Sequence, residues 1–253
     1  MRYFIELSYK GTFFHGWQYQ PNAISVQEKF EDALSKLLKT PHKITAAGRT
    51  DTGVHAKTMI VHFDTAVSFE PEKLTYRLNA FLSENISVQK IYEVHPEAHA
   101  RFDAISRSYE YYIHTRKDPF LDSGSYLVKE KLDVSAMNVA AKLLLKYTNF
   151  KCFSRSKTQV HTYNCTITHA EWKQHKHQLI FYITANRFLR NMVRAIVGTL
   201  LEIGKGKKSI EDLKNIIASQ NRSEAGASLP AKGLYLTDVV YPKSTYLSYE
   251  SKN

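Results

Sequence analysis

The chain has 253 residues, enough to bury a real core as one large domain or two small ones. Hydrophobic residues are 43% and charged residues 23%, which excludes disorder as the default and fits a soluble globular protein. The 35 Lys and Arg exceed 24 Asp and Glu to leave +11, with 16 Tyr and 13 Phe beside them, so phosphates and unpaired bases are natural partners.

Residues 2 to 9 read as a strand that starts without the apolar stretch of a signal peptide, and no membrane-spanning segment follows. A cytoplasmic protein with no membrane partner is expected. Ser25 and Glu28 form a capping box ahead of Phe30, Ala33, Leu34, Leu37 and Leu38, the spacing of an amphipathic helix. Residues 43 to 47 and 58 to 64 read as strands joined by the loop that holds Gly48 to His55. Pro71 suits the first turn of a helix carrying Leu74, Leu78, Phe81 and Leu82, and a strand at 86 to 94 follows.

The order then recurs. A strand at 107 to 114 is followed by a helix at 133 to 145 and a hairpin of 165 to 172 with 178 to 184, turning around Gln174 to Lys176. A long helix is expected from about 187, a short one from Ser209, and a last strand from Leu234 to Tyr241. Each half approximates β-α-β-β-α-β, so the expectation is an α+β protein of two similar ferredoxin-like lobes with an active-site cleft between them. The expected boundaries are 1–95 for the N-terminal lobe, 96–106 for a connector, 107–242 for the C-terminal lobe and 243–253 for a polar tail.

Three segments could carry chemistry. In the loop at 47 to 56, Gly48 and Gly53 give the backbone freedom on either side of Arg49 and Asp51, and Asp51 could act as a nucleophile or a base, or only cap a turn. From about Asn186, helical spacing puts Phe188, Leu189, Met192, Val193, Ile196, Val197 and Leu200 on one side and Arg187, Arg190 and Arg194 in a stripe beside them. Such a stripe is a solvated basic face or a phosphate contact. Alternation sets Tyr109, Tyr111 and Ile113 on one sheet face, as core or with Tyr109 free to stack on a base.

A metal site is not expected. His175 and His177 sit beside Lys173 and Lys176 with no completing carboxylate or Cys cluster, and Cys152 and Cys165 fit buried, reduced thiols. No P-loop, GxSxG or dinucleotide fingerprint occurs either.

Taken in order, five segments resemble the bacterial tRNA pseudouridine synthase A family, TruA. They are Tyr9-Lys10-Gly11 with Gly16-Trp17-Gln18, Gly48 to Ala56, and His99-Ala100-Arg101-Phe102 leading to Arg107-Ser108-Tyr109-Glu110-Tyr111. The others are Asn186 to Gly198 and Ala225 through Pro230-Ala231 to Leu236. The resemblance implies the pseudouridine synthase fold, with Asp51 as the catalytic aspartate, Tyr109 as the tyrosine near the target base, Arg194 as the arginine pairing with the aspartate, and Arg49 helping to hold the RNA. Arg187 and Arg190 are candidate RNA contacts from the basic stripe. It further implies pseudouridine formation at positions 38 to 40 of the tRNA anticodon stem-loop by a homodimer that needs no metal or organic cofactor. Ser228 stands where the family pattern suggests Thr, and segments 116–131 and 154–163, with Lys117, Arg155 and Lys157, match no signature. The alternatives are a non-catalytic RNA-binding protein and a pseudouridine synthase acting on another RNA.

Overall fold

The structure is a computed structural model that describes residues 1–156 and 160–247; Lys157 lies outside them. The described residues form two compact units, one from Met1–Ile105 together with residues 236–247, the other Ser106–Tyr235. Both are α+β, with mostly antiparallel strand pairing.

In the first unit the elements run β1 (Arg2–Tyr9), α1 (Val26–Leu38), β2 (Thr45–Ala46), β3 (His55–Asp64), α2 (Pro71–Phe81) and β4 (Ile86–Val94). The strands lie in the order β4-β1-β3, with β2 paired to β3. Alternation on β1 sends Tyr3 against Phe63 and Phe69, while Phe4 on the opposite face meets Tyr92 and Tyr241. Helix α1 starts where its sequence says it must: Ser25 accepts from the Glu28 backbone N–H and Glu28 reaches back to the Ser25 N–H. Pro71 opens α2 at a position whose N–H has no helical partner anyway.

The second unit carries β5 (Ser106–His114), β6 (Tyr126–Leu127), α3 (Val134–Leu143), β7 (Ile167–His175), β8 (Gln178–Ala185), α4 (Met192–Gly204) and α5 (Ile210–Ser219), and leads into β9 (Leu234–Val240). Its strands lie in the order β5-β8-β7, with β6 parallel to β5. The β7–β8 hairpin turns at Lys176, which takes the left-handed conformation. Asn138 of α3 accepts from the Trp172 N–H at 2.8 Å and donates to the Trp172 carbonyl at 3.1 Å, satisfying backbone groups on the outer strand. Eleven residues of α4 are buried, so it is the core helix of this unit.

Five expectations are corrected. The strand expected at 43–47 shrinks to two residues, and the one expected at 58–64 begins earlier, at His55, which accepts from the Gly11 N–H. The long helix begins at Met192 rather than near 187, because Asn191 has φ +67 and turns the chain before the helix starts. Residues 236 to 242, expected with the second half, group with the first, where β9 lies beside β3. Residues 243 to 247, expected as part of a polar tail, are anchored: Tyr246 bridges Val94 and stacks on Tyr92, and Thr245 is buried. Among the described residues no helix is long and apolar enough to cross a membrane.

Candidate active site

Asp51 sits in a loop whose backbone is held from below. Thr50, the residue before it, is buried, and its hydroxyl and carbonyl are both engaged: the hydroxyl bonds to the Tyr9 hydroxyl at 2.8 Å and the carbonyl accepts from the Trp17 N–H at 3.1 Å. The turn closes above this floor by a bond from the Val54 N–H to the Asp51 carbonyl at 3.1 Å, with Gly53 at φ +79. Gly48 has no such φ and has open space where a side chain would go, so of the two glycines only Gly53 is required by the backbone.

The segment after β1 presses against this loop closely enough to demand two more glycines. A Cβ on Gly11 would lie 1.9 Å from the Val54 carbonyl oxygen, and one on Gly16, itself at φ +90, would lie 2.8 Å from the Thr50 carbonyl oxygen. The result is a half-buried Asp51 and an exposed Arg49 displayed by a loop that is pinned at Thr50. Tyr9, Gly11, Gly16 and Trp17 were visible in the sequence as signature residues, but their work as the loop's floor depends on contacts 30 or more positions away.

The second unit holds the other candidates. Tyr109 is half-buried on β5 opposite Ile183, and Phe188 meets its ring edge to face at 5.1 Å and 87°. Tyr111, two residues on, is fully buried and donates to the Pro230 carbonyl at 2.7 Å. Burial holds its phenol well above the ordinary range, with the Arg194 charge pulling the other way, so Tyr111 serves as a neutral donor. Arg194 is half-buried in the first turn of α4, where its Nε donates to the Leu229 carbonyl at 2.6 Å.

The expected arginine stripe does not form as a helical face. Arg187 and Arg190 precede α4, and Asn191 separates them from Arg194 by a left-handed residue whose amide donates to the Ser228 hydroxyl. Arg187 is half-buried near Cys165, and Arg190 is exposed, its carbonyl accepting from the Arg155 N–H at 3.0 Å. Asn is the side chain best suited after glycine to such a turn, a signal that the apolar spacing around it obscured. Cys152 and Cys165 are free and buried, and among the described residues no three His, Cys, Asp or Glu side chains are grouped to hold a metal ion.

Comparison with known proteins places this fold. The sequence pattern of the tRNA pseudouridine synthase family matches residues 7–103 and 140–242, segments that include Asp51 and Arg194, with Tyr109 lying between them. The chain belongs to the tRNA pseudouridine synthase family, and its α+β architecture is that of the pseudouridine synthase fold. A protein of Parabacteroides distasonis is 50% identical over 246 residues, covering 97% of this chain and 98% of its own. One from Bacteroides fragilis is 49% identical over 247 residues, covering 97% and 98%, and one from Bacillus subtilis is 39% identical over 245 residues, covering 95% and 99%. All three are named tRNA pseudouridine synthase A.

Proposed function

We propose that this protein isomerises uridine to pseudouridine at positions 38 to 40 of the tRNA anticodon stem-loop, with Asp51 as the catalytic carboxylate. The observation that carries the reading is the double anchoring of Thr50, which holds the neighbouring carboxylate on a rigid turn in a member of this family. The reaction breaks the bond between uracil N1 and ribose C1′, rotates the base and joins C5 to C1′, and the proton on C5 finally leaves to solvent. One carboxylate serves this chemistry, either by attacking covalently or by removing a proton that promotes departure of the base. The target must first leave its stack, which costs about a few kcal/mol and least for loop nucleotides.

Tyr109 and Arg194 take the roles that the family resemblance assigns them, the tyrosine near the base and the arginine as the aspartate's partner. The edge-on contact from Phe188 limits how the Tyr109 ring can turn. Arg49, Arg187 and Arg190 are assigned to holding RNA, supported by the exposure of Arg49 and Arg190 and the net charge of +11. A cytoplasmic homodimer acting without metal or organic cofactor completes the proposal. Its test is tritium release from tRNA labelled at uridine C5: Asp51→Asn is expected to bind tRNA normally and release no tritium. Near-normal release from that variant refutes the assignment.

A further inference from the structure

Arg222 is a residue that a strongly basic RNA-modifying protein could be expected to use on phosphates. Its bonds point inward instead. One nitrogen, Nη1, donates to the carbonyls of Ala225 at 3.3 Å and Gly226 at 3.1 Å, and Nη2 donates to the Ser228 hydroxyl at 2.8 Å. The same Ser228 oxygen accepts from the Asn191 amide, so one hydroxyl ties Arg222 to the left-handed residue that starts α4.

The segment from Ala225 to Leu229 is thereby pressed onto α4. A Cβ on Gly198 would lie 1.9 Å from the Ala227 carbonyl oxygen and one on Gly226 would lie 2.8 Å from the Thr199 nitrogen, while the Gly226 N–H donates to the Thr199 hydroxyl at 2.9 Å. Directly after Ser228, the Leu229 N–H donates to the Arg194 carbonyl at 3.2 Å and the Leu229 carbonyl accepts from Arg194 Nε at 2.6 Å. An irregular segment offers its carbonyls to no regular ladder, and a planar guanidinium supplies several donors in a fixed fork, which a lysine ammonium cannot imitate.

We propose that Arg222 is a positioning residue: through Ser228 and Leu229 it sets the plane of the Arg194 guanidinium, and it does not bind RNA. The inference rests on the proposed role of Arg194 in the reaction. A cation used on phosphate and a cation used as a brace differ in what they change. Losing a phosphate contact weakens tRNA binding and lowers its salt slope by about one. Losing the brace lowers turnover and leaves affinity and salt slope alone.

The experiment compares the wild type with Arg222→Lys, Arg222→Gln, Ser228→Ala and Ser228→Thr, reading kcat, KM and tRNA affinity at two salt concentrations. The same proteins give the 15N resonance of Arg194 Nε–H, assigned by its loss in Arg194→Lys. Expected are a fall in kcat on the order of tenfold or more in both Arg222 variants and in Ser228→Ala, unchanged affinity and salt slope, recovery in Ser228→Thr, and faster exchange of the Arg194 Nε–H wherever kcat falls. A lysine at 222 that restores kcat, a reduced salt slope, or an Arg194 Nε–H unchanged in Arg222→Lys overturns the inference. Should Arg222 variants not fold, Ser228→Ala with an unchanged Nε–H resonance overturns it as well. A wild type that makes no pseudouridine sinks the proposed function, while the exchange of the Arg194 Nε–H still decides the brace.

Discussion

Replacing Gly11 by Ala tests whether the floor of the Asp51 loop governs turnover. The new methyl carbon would start 1.9 Å from the Val54 carbonyl oxygen and 2.5 Å from its carbonyl carbon, where real contacts do not fall below 3.0 Å, so backbone must retreat by about 1 Å. Neither atom can rotate aside. The Gly11 side is held from outside the loop, because Lys10 N–H donates to the Asn85 carbonyl at 2.9 Å at the end of β1. The loop therefore yields, and the bond from Val54 N–H to the Asp51 carbonyl carries the shift to the carboxylate. Overpacking of this size costs about 1–3 kcal/mol of stability. Misplacement of a reacting group by about 1 Å costs on the order of 100-fold in rate. Single-turnover tritium release, run beside thermal unfolding and tRNA binding, is expected to show the rate falling far more than stability or affinity. A folded Gly11→Ala protein turning over within twofold of the wild type refutes the coupling between this floor and the carboxylate.

His62 on β3 accepts from the Ala100 N–H at 3.0 Å, and burial, followed by the charges of Arg2 and His99, pushes its pKa down to about 4. The unfolded chain takes that proton near pH 6.5 and the folded chain only near 4, so the stabilisation is complete above 6.5 and is lost as pH falls toward 4. Between pH 7.5 and 5 the loss from this residue is about 2 kcal/mol, and His62→Asn, which keeps an acceptor, is expected to lack it in denaturant melts; an identical pH dependence in the variant rules the account out. The thiols of Cys152 and Cys165 are pushed up to about 12 and about 11 by burial, so both are expected to resist a thiol reagent at pH 8 until the protein unfolds. Labelling of the native protein at the rate of a free thiol contradicts that.

What was legible in the sequence is what local chemistry decides. Ser25 with Glu28, Pro71 and Ser209 mark helix starts because the groups that satisfy the first turn lie within a few residues. Residues 2 to 9 read as a strand and form β1 over that same range. The start of α4 was not legible, because Phe188 and Leu189 keep an apolar spacing that a turn at Asn191 does not interrupt, and the bond fixing that turn comes from Ser228, 37 residues on. Asp51 could be singled out from its motif, but Thr50 and Tyr9 meet across 41 positions and the close approach of Gly11 to Val54 leaves no local trace. Residues 243 to 247 look like a tail by composition, yet Thr245 accepts from the His95 N–H at 3.2 Å.

The return of the chain to its first unit bears on synthesis. Until the ribosome has delivered β9, the flank of β3 that it covers presents unpaired N–H and C=O groups, and Phe4 lacks the Tyr241 ring that packs on it at 5.1 Å. The unit that carries the Asp51 loop thus emerges early and is completed last, so a nascent chain stalled before residue 236 carries an open edge that invites pairing with other chains.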